Sequence, residues 1–77
     1  MNVNMQFGDK VRYLREEQNI SQTELGKALN ITQRKVSYIE RGTYEPSMED
    51  IVAIAKYFDV SADYLLGIPK GKRYLER

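Results

Sequence analysis

The sequence contains no cysteine and no histidine, and each absence excludes a class of site. Without cysteine, the chain forms no disulfide framework and offers no thiolate to a metal ion. Without histidine, it lacks the side chain that most often acts as a general base or metal ligand near neutral pH. A glycine-rich phosphate loop and a pair of catalytic carboxylates are also not evident. We therefore predict that the chain is not an enzyme and that it needs no metal or cofactor.

Long apolar runs are missing as well. No stretch approaches the ~20 apolar residues that a membrane-spanning helix needs. Residues 1–7, MNVNMQF, show neither the basic segment nor the apolar segment of a secretory signal. We therefore expect a cytoplasmic protein without a membrane partner. Its 77 residues correspond to one domain, which is small for a deep catalytic cleft.

The near-neutral net charge of +1 conceals an uneven distribution. Residues 31–44 carry three basic side chains against one acid, and residues 64–77 carry four against one. Between them, residues 45–63 carry five acids against one lysine. Nucleic-acid binding depends on a basic face rather than a basic total. The sequence therefore offers one candidate patch within residues 31–44 and one basic C-terminal segment.

Apolar side chains recur at helical spacing in five segments, and no segment shows the alternation of a strand. The predicted helices begin near Phe7, Ser21, Thr32, Ser47 and Ser61. Ser21 and Glu24 have the spacing of a capping box, in which each side chain satisfies a backbone N–H at a helix start. The positions expected to face the core are Phe7, Val11, Leu14, Leu25, Ala28, Leu29, Val36, Ile39, Ile51, Ile54, Ala55 and Phe58. The sequence therefore predicts an all-α fold of five helices.

We divide the chain into an N-terminal arm at 1–5, a helical domain at 6–67 and a basic C-terminal tail at 68–77. The tail has three open interpretations. It is a solubilising end, an extra contact to a DNA backbone, or part of a dimer interface together with Leu65. The apolar side chains of Ile68, Tyr74 and Leu75 suit the last of these.

Residues 21–41 meet the demands of a helix-turn-helix, in which two helices joined by a short turn cross at about 90–120°. The second helix enters the major groove of DNA, and the first holds it there. Gly26 is small where the helices cross, and Asn30 accepts the left-handed backbone of the turn. Val36 and Ile39 give the second helix an apolar inner side. Its outer side is polar and carries Gln33, Arg34, Ser37 and Tyr38.

Two cations lie where a helix prefers acids. Arg34 and Lys35 fall in the first turn of the third helix, where each opposes the helix dipole at a cost of about 0.3–1 kcal/mol. Such local conflicts are expected at functional sites. An anionic partner such as DNA would resolve this one.

The segment SQTELGKALNITQRKVSYIERG at 21–42, the Pro46-Ser47 pair and VSADYLLG at 60–67 resemble the Cro/repressor-type helix-turn-helix family. The resemblance runs from about Phe7 to Gly67 and implies a five-helix, lambda-repressor-like bundle. Two positions depart from the family pattern. Gly26 replaces the usual alanine, at about 0.5–1 kcal/mol of helix stability, and Asn30 replaces the usual glycine of the turn. Both residues still permit the required backbone.

The resemblance also implies roles for individual residues. The base-reading positions are Gln33, Arg34, Ser37 and Tyr38, where arginine or glutamine pairs bidentately with guanine or adenine. An alternative for the bulky Tyr38 is to lie along the groove wall. The expected phosphate contacts are Gln22, Thr32, Lys35, Thr43 and Tyr44, and Gln22 is also placed to brace Gln33. Arg15 and Glu40 correspond to a structural ion pair between the first and third helices.

The function that this pattern predicts is sequence-specific regulation of transcription, most consistent with a repressor. The third helix, about residues 32–41, would read double-stranded DNA in the major groove. A homodimer would bind a palindromic operator with half-sites about 34–36 Å apart. The alternative is an antitoxin-like or partner-regulated protein-binding module, whose fourth and fifth helices present the acidic stretch 45–63 to a protein partner.

Overall fold

The computed structural model describes the backbone of residues 3–67 and the side chains of residues 6–67. Five helices follow one another: α1 (Val3–Glu17), α2 (Gln22–Leu29), α3 (Gln33–Arg41), α4 (Met48–Phe58) and α5 (Ala62–Leu66). Residues 3–67 contain no strand, which confirms the predicted all-α fold of five helices. Within the same range, no helix has the length and apolarity needed to cross a membrane.

The helix ends are encoded by residues within one turn of them. The Ser21 hydroxyl accepts from the Glu24 amide at 3.0 Å, and the Glu24 carboxylate accepts from the Ser21 amide at 2.7 Å, which completes the predicted capping box. Ser47 and Asp50 form a second one at the start of α4. Thr32 and Ser61 cap α3 and α5. These bonds satisfy amides that the first turn of a helix leaves without partners.

The core lies where the five helices meet, and each of them contributes at least one buried side chain. Its buried side chains are Phe7, Val11, Leu25, Val36, Ile39, Ile54, Phe58 and Leu65, with Leu14, Leu29, Ile51 and Ala55 partly buried against them. The prediction for Ala28 is wrong, because its side chain is exposed. The buried side of α2 is centred between Leu25 and Gly26, and at ~100° per residue Ala28 points about 110° away from that centre.

Helix α1 passes unusually close to the end of α3 at Gly8. A Cβ atom at Gly8 would overlap the carbonyl oxygen of Ile39 and lie 2.6 Å from that of Glu40. A glycine inside a helix costs about 0.5–1 kcal/mol relative to alanine. Glycine is nevertheless required at this position, because any larger residue would separate the two helices.

The ends of the domain differ from the predicted division in one respect. Helix α1 begins at Val3, so the helix extends into the segment 1–5 that was expected to be an arm. The predicted basic tail, 68–77, lies outside the described residues.

Replacing Gly8 with alanine should destabilise the fold. We expect Gly8→Ala to lower the free energy of unfolding by about 1–3 kcal/mol, because the overlapping atoms are backbone oxygens that no rotamer change can move. Urea denaturation measures the effect. Asp9→Ala, at the exposed neighbouring position, is the control and should stay within about 0.5 kcal/mol of wild type. Equal stability of Gly8→Ala and wild type would refute the close approach.

Candidate nucleic-acid interface

Helices α2 and α3 form a helix-turn-helix whose turn is fixed by backbone bonds. Asn30 adopts a left-handed conformation with φ 62°, and the Ile31 amide donates to the Gly26 carbonyl at 2.8 Å. A Cβ at Gly26 would lie 2.8 Å from the Ile31 carbonyl oxygen, so glycine allows this turn to close. Thr32 then starts α3, its hydroxyl accepting from the Lys35 amide at 3.0 Å.

A buried carboxylate joins the helix-turn-helix to α1. Glu40 is 2% exposed, and it accepts from Arg15 Nε at 2.6 Å and from Arg15 Nη2 at 3.0 Å. Arg15 Nη1 also donates to the Ile20 carbonyl at 2.9 Å. The ion pair of Arg15 and Glu40 is thus present and bidentate. These bonds compensate for removing the carboxylate charge from water, which would otherwise be costly.

Two glutamines continue this set of bonds to the surface. Gln22 Nε2 donates to Glu40 Oε1 at 3.1 Å, and Gln33 Nε2 donates to Gln22 Oε1 at 2.6 Å. An ionised carboxylate only accepts hydrogen bonds, so the Gln22 amide nitrogen must face Glu40 and its oxygen must face Gln33. The orientation of the Gln33 amide follows. Gln22 therefore braces Gln33, the first residue of α3.

Lys35 turns inward, away from the outer side of α3. Its ammonium lies 3.2 Å from Asp50 Oδ1 and 5.3 Å from the centre of the Tyr44 ring. Burial alone would raise the pKa of Asp50, but hydrogen bonds from Ser47 and Lys35 lower it below its ordinary value. The hydrogen bond to Asp50 raises the pKa of Lys35. Both shifts favour the charged pair. An internal carboxylate therefore offsets one of the two cations expected to oppose the α3 dipole.

The other predicted base-reading positions lie along the outer side of α3. Arg34 is exposed and makes no ion pair within the described part of the chain, and Ser37 is half-buried. Tyr38 is exposed, with the Arg41 guanidinium 5.3 Å from its ring centre. Arginine over an aromatic face is an attractive cation–π arrangement, and the three-residue spacing of Tyr38 and Arg41 on one helix is the sequence feature that could have predicted it.

The predicted phosphate contacts divide into outer and inner positions. Thr32 and Thr43 are exposed, and the Thr43 hydroxyl donates to the Tyr38 carbonyl at 3.3 Å. Tyr44 is half-buried against the core, beneath Lys35. Asp50 was not predicted as the partner of Lys35. An acid in the first turn of α4 is already explained by the helix dipole, so its sequence position did not indicate a second role.

The chain matches the model of a known family, and the proteins similar to it include regulators of transcription. A family model described as helix-turn-helix matches residues 11–65. The transcriptional activator BcrR of Enterococcus faecalis is 36% identical over 62 residues, which are 80% of this chain and 30% of that protein. The transcriptional regulator DicA of Escherichia coli K12 is 35% identical over 63 residues, which are 82% of this chain and 47% of that protein. The chain thus spans less than half the length of either regulator.

A solved structure has the same fold. The crystal structure of the P22 c2 repressor in complex with synthetic operator 9T has a TM-score of 0.74 and 35% identity to this chain. The likeness covers 86% of this chain and 96% of that one. It confirms the fold and the helix-turn-helix arrangement that the sequence predicts.

The two arginines of α1 near Glu40 should differ sharply in their effect on stability. Arg15→Gln leaves the buried carboxylate without its bidentate partner, and we expect a loss of about 3 kcal/mol in the free energy of unfolding. Arg12→Gln is the matched control. Its guanidinium is 3.9 Å from the same carboxylate but 46% exposed, so we expect less than about 1 kcal/mol. Comparable losses in urea denaturation would contradict the assigned roles.

Proposed function

The chain belongs to the helix-turn-helix family, and on that premise we propose that it is a transcription regulator that binds double-stranded DNA through α2 and α3. The observation that carries the proposal is the helix-turn-helix itself, with the polar outer side of α3 left exposed. Membership of a family of DNA-binding regulators agrees with the expectation that the chain is not an enzyme. We place its action in the cytoplasm and assign it the role of a repressor, which the name of the P22 c2 repressor supports and that of the activator BcrR does not.

In the proposed complex, α3 lies in the major groove and α2 lies across it. The outer side of α3 faces the base edges with Gln33, Arg34, Ser37 and Tyr38. The proposed phosphate contacts come from the start of α2 and the ends of α3, through Gln22, Thr32, Thr43 and Tyr44. Amides at a helix start attract phosphate oxygens, which suits Gln22 at the first position of α2. Lys35 is left out, because its ammonium is held on Asp50.

Gln33 is proposed to read adenine. Its bond to Gln22 uses one amide N–H and leaves a second N–H and the carbonyl oxygen to face the groove. Adenine presents a matching pair there, the N7 acceptor and the N6 donor. Since Gln22 is itself oriented by Glu40, the glutamine is arranged for this pairing before DNA arrives.

Two copies of the chain are proposed to bind one operator. A single α3 reaches few base pairs, so specificity improves when a dimer spans two half-sites about 34–36 Å apart. The operator is then a palindrome, matching the two-fold symmetry of the dimer.

A second candidate function is a protein-binding module of the antitoxin-like or partner-regulated kind. The outer side of α4 favours it, since Met48 is 79% exposed and Val52 is also exposed, next to the acidic Glu49. Retention of a protein partner that requires this side of α4, with no DNA bound, would favour this candidate over the first.

Titration against duplex DNA at several salt concentrations tests the leading proposal. We expect log affinity to fall linearly with log salt, at about 0.9 per phosphate contact. On a selected site, Arg34→Ala should lose about 1–3 kcal/mol of discrimination between bases. Lys56→Ala, which removes an equal charge from an exposed position on α4, should keep that discrimination. Absence of binding at about 50 mM salt, where phosphate contacts are strong, would refute DNA binding by this chain.

The bracing of Gln33 is tested by a double-mutant cycle of Gln22→Ala and Gln33→Ala. On a site with adenine at the contacted position, the two losses should not add, because removing Gln22 already weakens the Gln33 contact. After that adenine is replaced by another base, the coupling should vanish. Strictly additive losses on the adenine site would show that the two glutamines act independently.

A further inference from the structure

The pairing of Lys35 with Asp50 withdraws a positive charge from the recognition helix. Lys35 is the third residue of α3, next to Arg34, in the turn that would approach DNA first. Its side chain is nevertheless only 30% exposed, and its ammonium is 3.2 Å from a carboxylate that is 9% exposed. A lysine at this position would otherwise extend into solvent and be available to a phosphate.

We propose that Asp50 is an intramolecular competitor for phosphate, which holds Lys35 away from DNA and lowers the affinity of this surface for DNA of any sequence. The inference rests on the proposed DNA-binding function. Asp50 touches no DNA in this scheme and acts through Lys35.

The competing carboxylate is held in place before DNA binds. Asp50 is the third residue of α4, and its Oδ2 accepts from the Ser47 amide at 3.1 Å while its own amide donates to the Ser47 hydroxyl at 3.1 Å. The capping box thus fixes the carboxylate that Lys35 meets. The Tyr44 ring, 5.3 Å from the ammonium, adds a cation–π attraction. A phosphate would have to displace both contacts to recruit Lys35.

The consequence concerns specificity. Phosphate contacts supply essentially all of the affinity for non-specific DNA, whereas base contacts distinguish sites. A cation withheld from the backbone weakens binding to every sequence and leaves the contacts of Gln33 and Arg34 untouched. Discrimination then depends more on the base-reading side chains, and less of the protein is held on the many competing sites of a genome.

The test is the salt dependence of binding to random duplex DNA. Asp50→Asn keeps an oxygen for the Ser47 amide but removes the charge that holds Lys35. We expect the log–log slope to steepen by about 0.9, the value of one added phosphate contact. If wild type and Asp50→Asn bind equally at about 1 M salt, this difference in slope makes Asp50→Asn bind roughly eightfold more tightly than wild type at about 0.1 M salt. Adding Lys35→Gln to Asp50→Asn should return the slope to the wild-type value.

Two controls separate this effect from general charge and from folding. Glu49→Gln removes the same charge from an exposed position beside Asp50, where it holds no described cation, and should leave the slope unchanged. Ser47→Ala removes the capping hydroxyl but keeps the Asp50 carboxylate. It should lower the melting temperature followed by circular dichroism without steepening the slope.

The proposal is overturned by any of three results. The first is a wild-type slope for Asp50→Asn, and the second is a slope for Glu49→Gln that steepens as much as that of Asp50→Asn. The third is a slope that is flatter by about 0.9 for Lys35→Gln alone in the otherwise wild-type protein, which would mean that Lys35 already contacts phosphate. This last variant decides the matter even where Asp50→Asn does not fold. Absence of salt-dependent binding by the wild type is a different failure, because it refutes the proposed function itself.

Discussion

The burial of the Glu40 carboxylate is the constraint on which the rest of the structure depends. A charge that is 2% exposed must be surrounded by donors, and these come from two different helices, Arg15 of α1 and Gln22 of α2. One residue near the end of α3 therefore ties three helices into one arrangement. The close approach of α1 at Gly8 serves the same end, since a wider spacing would carry the arginine away from the carboxylate.

The same constraint reaches the surface through Gln22. Amide side chains usually have two nearly equivalent orientations, but here a pure acceptor at one end removes the choice. Glu40 orients Gln22, and Gln22 in turn restricts the side chain of Gln33. Gln33 is exposed and would otherwise lose this rotamer freedom only on binding. In the proposed complex the interior would thus contribute to recognition without touching DNA, because an oriented glutamine enters a groove at a lower entropic cost than a free one.

The parts of this structure that were readable in the sequence are those encoded locally. Ser21 and Glu24 are three residues apart, so their capping box needs nothing beyond α2, and the same is true of Thr32. Gly8 and the Lys35–Asp50 pair could not be found that way. Their meaning depends on which helix passes beside them, and sequence spacing carries no such information. The core prediction for Ala28 was wrong for a related reason, because on so short a helix a small rotation of the buried side is enough to expose a residue.

The Arg15–Glu40 and Lys35–Asp50 ion pairs have opposite relations to the proposed DNA surface. Arg15 and Glu40 share hydrogen bonds and burial, so removing one partner leaves an uncompensated charge inside the protein. The Lys35 side chain is 30% exposed, against 13% for Arg15. Its pair with Asp50 therefore adds less to stability but changes which cations face outward. Arg34, with no ion pair in the described part of the chain, then stands as the charge of the first turn. Because a guanidinium also pairs bidentately with a base edge, the proposed DNA surface would retain the cation that can discriminate and withhold the one that would act mainly as a point charge.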